Sequence, residues 1–347
     1  MSGTSLDGVD IALCEIDTQT CNLLHYKEYP YDKVLKEQVL HALNKPLTLE
    51  EFGSLNVALG EMFAKHTNSF LDEHTIVADS IEAIGLHGQT LWHSPHTEHP
   101  FSLQFGSASV VVARTQIPTV SDFRNLDIAY GGEGAPFAPA FHHFLYANEP
   151  STALLNIGGM ANISVLGENL QGWDTGCGNV LLDYWMQQTQ LKPYDKDGEF
   201  AQSGKILERL LEKMLSDVYF AKEPPKSTGR EYFTPEWLEQ HLQEFQQEKA
   251  QDVQRTLVEL TAQSIANDLK KAEIKKLIVC GGGAKNSFLL KRLKELSQTE
   301  LSVEPNADAL EAMAFAWFAY KRLKKEPLML SSVTGANKNT LQGAIYG

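Results

Sequence analysis

Polar and apolar residues alternate over residues 8–17, with Val9, Ile11, Leu13 and Ile16 apolar, and predict a half-buried strand. Residues 49–73 repeat apolar side chains at helical spacing. Short apolar runs at 81–86 and 119–120 read as strands, with a helical stretch at 107–114 between them. Residues 152–166 read as a β-hairpin turning at Gly158-Gly159-Met160-Ala161. Gly172-Trp173-Asp174 reads as a strand end, followed by a helix that Asn179 would cap. Residues 203–218, 256–272 and 311–323 have helical spacing, and residues 224–230 form a polar loop between the first two. The run Leu277-Ile278-Val279-Cys280 meets three glycines, Gly281, Gly282 and Gly283, before an amphipathic stretch at 287–296. Residues 122–139, rich in Gly and Pro, mark a boundary between two halves. Strands alternating with helices in two halves define an α/β protein.

Composition narrows the function. The 347 residues carry a net charge of −14, which argues against nucleic acid or an anionic membrane as the main partner. At 43% apolar and 21% charged, the chain can build substantial cores and is not disordered. The four cysteines, Cys14, Cys21, Cys177 and Cys280, form no Cys-x-x-Cys pair, so reduced thiols and a cytoplasmic location are expected. No signal peptide is visible, and the apolar stretch 309–320 is too short to span a bilayer.

Four constellations carry chemistry. A strand ending in three glycines and opening a helix brings bare backbone and unpaired N–H groups to one place, which suits a nucleotide; the same turn also serves packing alone. Residues Met1 to Asp10 place two hydroxyls and two glycines in a turn that can hold phosphate, with Asp7 or Asp10 reaching Mg²⁺ directly or through water; an ordinary polar turn is the alternative. Asp174 beside Gly176 can act as a general base in a cleft or simply bind turn amides. In His87-Gly88-Gln89-Thr90-Leu91-Trp92-His93 the histidines share no helix face, which disfavours zinc. Gln89 and the histidines suit sugar hydroxyls, and Trp92 is either a stacking platform or core.

Two glycine hairpins (the second Leu155-Asn156-Ile157-Gly158-Gly159-Met160-Ala161-Asn162) and a triple-glycine loop resemble the layout of the actin, sugar-kinase and heat-shock-ATPase superfamily. The ordered set Ser2-Gly3-Thr4-Ser5-Leu6-Asp7-Gly8-Val9-Asp10, His87-Gly88-Gln89-Thr90, Asp122-Phe123-Arg124, Gly134-Ala135-Pro136, Asn156-Ile157-Gly158-Gly159, Asp174-Thr175-Gly176, Lys226-Ser227-Thr228-Gly229-Arg230 and Cys280-Gly281-Gly282-Gly283 closely resembles the anhydro-N-acetylmuramic acid kinases of bacteria. The resemblance covers essentially the whole chain. It implies a two-domain actin-like fold with an interdomain cleft, residues 1–122 plus 325–347 forming one domain and 123–324 the other. It implies a cell-wall-recycling kinase that uses ATP, Mg²⁺ and water to open a 1,6-anhydro amino sugar and phosphorylate O6. It further implies a cytoplasmic homodimer with no nucleic acid or membrane partner.

By the same resemblance Asp174 is the base that deprotonates water and Glu311 helps hold that water. Gly3, Thr4, Ser5, Leu6, Asp7, Gly8, Val9, Asp10, Asn156, Gly158, Gly159, Gly281, Gly282 and Gly283 contact ATP. His87, Gln89, Arg124 and Asn162 contact the sugar. Rival readings are another sugar kinase of the superfamily or a non-sugar ATPase module. Three departures from the family pattern stand out. Cys177 replaces the usual proline after the catalytic aspartate, and the arginine-rich run after Asp122 shrinks to Arg124-Asn125-Leu126. The strand that usually precedes the Ser-Gly-Thr motif is not in the sequence, so an open sheet edge and weakened ATP affinity are expected.

Overall fold

The computed structural model describes all residues except 3–5, 7, 147–150, 168–169, 225 and 230–231. In chain order the strands are β1 (Gly8–Ile16), β2 (Cys21–Pro30), β3 (Ile84–Gly85), β4 (Gln89–Ser94), β5 (Phe101–Phe105), β6 (Thr119–Ser121), β7 (Thr152–Ile157), β8 (Met160–Leu166), β9 (Gln171–Cys177), β10 (Lys276–Cys280), β11 (Glu300–Val303) and β12 (Ala344–Tyr346). The chain divides into two compact units, Met1–Leu145 with Ala309–Gly347, and Tyr146–Asp308. The division falls later than residue 122 and earlier than residue 325. Two helices set those limits: Ala138–Tyr146 and Leu310–Leu323 share an aromatic cluster in which Phe141 and Phe144 meet Trp317.

In the first unit β1 and β2 form an antiparallel ribbon, β4 and β5 a hairpin, and β12, β6 and β3 a small mixed sheet. The helix Leu49–Glu73 begins at a capping box: Thr48 accepts from the Glu51 N–H, and Glu51 reaches back to the Thr48 backbone. Its apolar stripe, with Leu55, Leu59, Met62 and Phe63, joins Leu6, Val9 and Val111 in one core. Among the described residues β1 pairs along its length with β2, and Val9 also bridges Ser2. A cavity of about 360 Å³ lies between the other edge of β1 and residues 80–86, floored by Phe63, Ala312 and Ala316.

The second unit is built on one five-stranded sheet, ordered β11-β10-β7-β8-β9, with β11, β10 and β7 parallel and β7, β8 and β9 antiparallel. The helix Ala250–Lys271 is buried along much of its length against this sheet through Val253, Leu257, Leu260 and Ile265. Truncating such a side chain, Leu257→Ala for example, costs about 2–5 kcal/mol.

Both units are therefore α/β, as the pattern implied. Several elements differ from the sequence reading. The loop 122–139 contains a short helix, Asn125–Ala129, and ends in the helix that starts at Ala138. Helical spacing at 203–218 yields a helix only over Glu208–Leu215, because the flanking turns are held by tertiary contacts such as Leu207 N–H on Thr256 Oγ1. Asn179 makes no side-chain cap; its Nδ2 donates to the Ile157 carbonyl at 3.3 Å instead. Asp174 does not end a strand but lies in the middle of β9.

Candidate functional site

Register brings the second unit's candidate residues into one row. Cys280 faces Asn156 across β10 and β7, Asn156 faces Asn162 across β7 and β8, and Asn162 faces Asp174 across β8 and β9. Directly opposed residues project from the same face of a sheet. The alternate positions Leu155, Ile157, Ala161, Ile163 and Trp173 fill the core on the other face. At about 4.8 Å per strand, Asn156 and Asp174 are about 10 Å apart. A bulge sits beside Asp174: Asn162 pairs with Asp174 but Ala161 pairs with Gly176, leaving Thr175 as the extra residue. Such bulges re-aim side chains and recur next to active sites.

The Asp174 carboxylate is held by donors from the loop that follows residue 225. Thr228 N–H donates to Oδ2 at 2.9 Å and Ser227 Oγ to the same oxygen at 3.2 Å. On the free side of β9, Asp174 N–H donates to the Lys226 carbonyl at 3.0 Å, and Tyr219 Oη donates to the Asp174 carbonyl at 2.7 Å. The loop motif was visible in the sequence, but nothing in its spacing said that residues 226–228 close on a carboxylate about fifty positions earlier; Arg230 lies outside the described residues. Cys177 is buried, and burial pushes its thiol up to about 12, so it is a packed neutral side chain here.

The two glycine turns of this unit meet at Asn156 and Ile157. The hairpin turn Gly158-Gly159 receives N–H donors from the start of the next helix: Asn179 N to Gly158 O at 2.8 Å and Gly178 N to Gly159 O at 2.9 Å. The three glycines after β10 have separate reasons. Gly281 has φ +80, and a Cβ there would lie 2.2 Å from Asn156 Oδ1; at Gly283 it would lie 2.3 Å from Ile157 Cγ2. Gly282 is exposed, with only Asn179 Nδ2 near, at 3.9 Å. These glycines open a 3₁₀ turn, Gly282–Lys285, and not the helix itself. The helix Ser287–Ser297 starts later, and one donor of its first turn, Leu289 N–H, goes to its own cap, Asn286 Oδ1, at 3.0 Å. The helix-start argument for anion binding therefore does not apply at the glycines; the bare backbone argument remains.

In the first unit the candidates form a charged group and a separate brace. Arg124 Nε and one Nη lie 3.3 and 3.0 Å from His87 Nε2, and its other Nη donates to the Gly134 carbonyl at 2.7 Å. Accepting from a guanidinium requires a neutral imidazole with its proton on Nδ1. Burial, then the Arg124 charge, holds the His87 pKa well below its ordinary value, in agreement. The Gly134 loop is fixed by the buried Asp127 carboxylate, which accepts from Gly134 N at 2.8 Å and Thr334 Oγ1 at 2.9 Å. Glu311 opens the helix Leu310–Leu323. It keeps an exposed edge while protein crowds it elsewhere. That crowding, then the neighbouring Asp10 carboxylate, raises its pKa, and Arg124 opposes the rise.

Asp10 accepts from Tyr26 Oη at 2.7 Å. Val9 and Leu6 are buried, and Gly8 is where a Cβ would meet Glu28 Oε1 at 2.3 Å. Gly3, Thr4, Ser5 and Asp7 lie outside the described residues. Gln89 is buried, and its Oε1 accepts from Ser2 Oγ at 2.6 Å and Tyr31 Oη at 3.3 Å, so it braces the strand pair as placed. Trp92 is 55% exposed and is not core. Among the described residues no cluster of three or more metal-ligating side chains occurs, and no helix is long and apolar enough to cross a membrane.

The second unit thus carries an oriented carboxylate in a polar row beside a glycine turn, and the first unit carries its own acidic and basic groups, which is what a group-transferring enzyme requires. The family profile described as "Anhydro-N-acetylmuramic acid kinase" matches residues 1–347, and the chain belongs to that family. It is similar to the anhydro-N-acetylmuramic acid kinase of Sulfurimonas denitrificans, at 50% identity over 100% of this chain and 98% of that one. It is likewise similar to that of a Sulfurovum species, at 51% identity over 100% and 97%. A solved structure, the activator of 2-hydroxyisocaproyl-CoA dehydratase from Clostridium difficile with bound ADPNP, shares 14% identity at a TM-score of 0.37, over 59% of this chain and 68% of that one. That likeness is too slight to carry an argument. The activity is accordingly that of the family: an ATP-using kinase of anhydro-N-acetylmuramic acid in peptidoglycan recycling.

Proposed function

We propose that Asp174 is the general base of this kinase: it takes a proton from a water that attacks C1 of the anhydro sugar. The C1–O6 bond breaks, O6 attacks the γ-phosphorus, and ADP leaves; the proton held by Asp174 is released afterwards. What carries this reading is the carboxylate fixed on Thr228 N–H and Ser227 Oγ in the same row as Asn162. A base must be oriented before its basicity matters. Glu311 orients the water, and the Arg124–His87 pair and Asn162 hold sugar oxygens.

ATP is held by the Gly158-Gly159 turn and the exposed face at Gly282, and the phosphate-binding role of the Ser-Gly-Thr motif rests on family membership. Phosphoryl transfer asks mainly for positioning and charge neutralisation. Mg²⁺ suits the oxygen-only side chain of Asp10, reached directly or through water, since the ion keeps several waters and takes few protein ligands. When bound it neutralises phosphate charge. Family membership also supports reading the two units as the halves of an actin-like ATPase fold, in a cytoplasmic homodimer. Light scattering that returned the mass of one chain would remove the dimer.

Reaction in ¹⁸O-labelled water tests the chemistry. One labelled oxygen is expected at C1 of the product and none in the transferred phosphate. Label in phosphate would mean that water attacks ATP, and the proposed route would fall.

A further inference from the structure

We propose that the buried Lys226–Asp268 ion pair positions the base: it locks the loop that holds the Asp174 carboxylate, and the two residues act on catalysis through that loop. This inference rests on the reading of Asp174 as the base.

The geometry converges on one carboxylate. Lys226 Nζ lies 3.2 Å from Asp268 Oδ1 and 3.1 Å from Oδ2, and the two side chains are 2% and 3% exposed. Trp173 Nε1 donates to Asp268 Oδ2 at 2.9 Å. Asp268 thus ties down the residue just before Asp174 on β9 and the first residue of the loop that grips Asp174. Between those two ties, Asp174 N–H meets Lys226 O at 3.0 Å, and Thr228 N–H and Ser227 Oγ reach the carboxylate. Asp268 itself sits on the buried face of the helix Ala250–Lys271, which packs into the core of the unit. Tyr219 closes the arrangement: its ring lies 5.4 Å from Lys226 Nζ, and its hydroxyl donates to Asp174 O.

A buried ion pair is weak evidence for stability, since replacing both members with apolar residues is often neutral. A short polar loop has no such substitute for its anchor. Ser227 is exposed and Thr228 is half-buried, so of the two residues that touch the carboxylate Ser227 has little packing of its own. Without the Lys226 side-chain tie, the loop is held to β9 through the backbone bond from Asp174 N–H to Lys226 O, and the two donors to the carboxylate lose their fixed orientation. The anchor acts on the orientation of the Asp174 carboxylate, so its loss is expected in kcat before KM.

The test compares full-length variants in steady-state turnover with ATP, Mg²⁺ and the anhydro sugar, alongside thermal melts. In the doubly apolar variant Lys226→Met/Asp268→Leu, kcat is expected to fall about 10- to 100-fold, the scale of a misplaced catalytic group. Both KM values should stay within about threefold, and the acidic limb of the kcat–pH profile should move, because Asp174 has lost its donors. Trp173→Phe, which keeps the ring and removes only the N–H, should show a smaller fall of about threefold in kcat with the melt preserved; it carries the test if the double variant does not fold. A folded double variant or a Trp173→Phe enzyme with wild-type kcat overturns the inference. So does a fall in kcat matched by equal losses in both KM values, which marks general disruption. Asp174→Asn separates the two levels: if it keeps turnover the base reading itself is wrong, and if it is dead while the anchor variants are wild type, only the anchor is.

Discussion

Asp174 and Glu311 are the two carboxylates proposed for catalysis, one in each unit, and their surroundings differ in kind. Asp174 sits mid-strand, gripped by a backbone N–H and a hydroxyl, with a buried lysine behind the loop that supplies them. Glu311 sits in the first turn of a helix, where crowding first, and then the Asp10 and Arg124 charges, set its protonation. One group is placed by covalent scaffolding and register, the other is tuned by an electrostatic balance. Hydrogen bonds from fixed donors are directional and fall away abruptly when a donor moves. Charge effects are graded, and water screens them where an edge is open. The first arrangement suits a group that must point at one atom; the second suits a group whose protonation matters more than its angle.

The sharpest way to break this comparison is to remove the basicity of Asp174 without its shape. Asp174→Asn should lower kcat by about 100-fold or more, the scale of a lost general base, with both KM values little changed. Turnover within a few-fold of wild type would mean that the oriented carboxylate is structural. The next effect is confined to the nucleotide. Gly282 has open space around it, while Gly281 and Gly283 are closed by Asn156 and Ile157. Gly282→Val should therefore raise KM for ATP about tenfold, or about 1.4 kcal/mol of binding, and leave the melt and the sugar KM unchanged. Gly281→Val should instead lower the melt. Equal behaviour of the two variants would show that the turn serves folding alone.

How much of this was legible beforehand depends on the kind of interaction. The helix over 49–73 was readable because apolar period and a Thr-x-x-Glu cap agree locally. The hairpin at Gly158 was readable for the same reason. The β4–β5 hairpin and β2 escaped, since their apolar and polar residues do not alternate cleanly, and β2 is mostly exposed. Every candidate site residue could be named from motif order, but motif order does not tell what each one touches. That Asn156, Asn162 and Asp174 share a row follows from register across three strands and a bulge, neither of which leaves a local mark. Asp268 had no mark at all: a helix aspartate reads as solvent-facing until the fold buries it on Lys226 and Trp173.

The smallest effect sharpens the electrostatic half. The ordinary Glu311 carboxyl pKa of 4.5 is raised in the folded chain by crowding and by Asp10. As pH rises through about 4.5, the unfolded chain releases this proton first. The folded state still holds it, so the stability contributed by this group falls with rising pH and levels off once the folded carboxyl ionises. Glu311→Gln removes that titration. Its melt should match wild type near the low end of the window and exceed it by a few degrees, about 2–4 °C at most, near neutrality. Turnover should drop about tenfold, less than for Asp174→Asn, because orienting a water is worth less than deprotonating it. His142 runs the other way: burial lowers its pKa to about 3, so its contribution rises with pH until about 6.5. The raw melting curve mixes the two, and the difference between variant and wild type at each pH isolates Glu311. A difference that does not change with pH would show that Asp10 and the helix start balance at Glu311, and that its placement, like that of Asp174, is a matter of geometry.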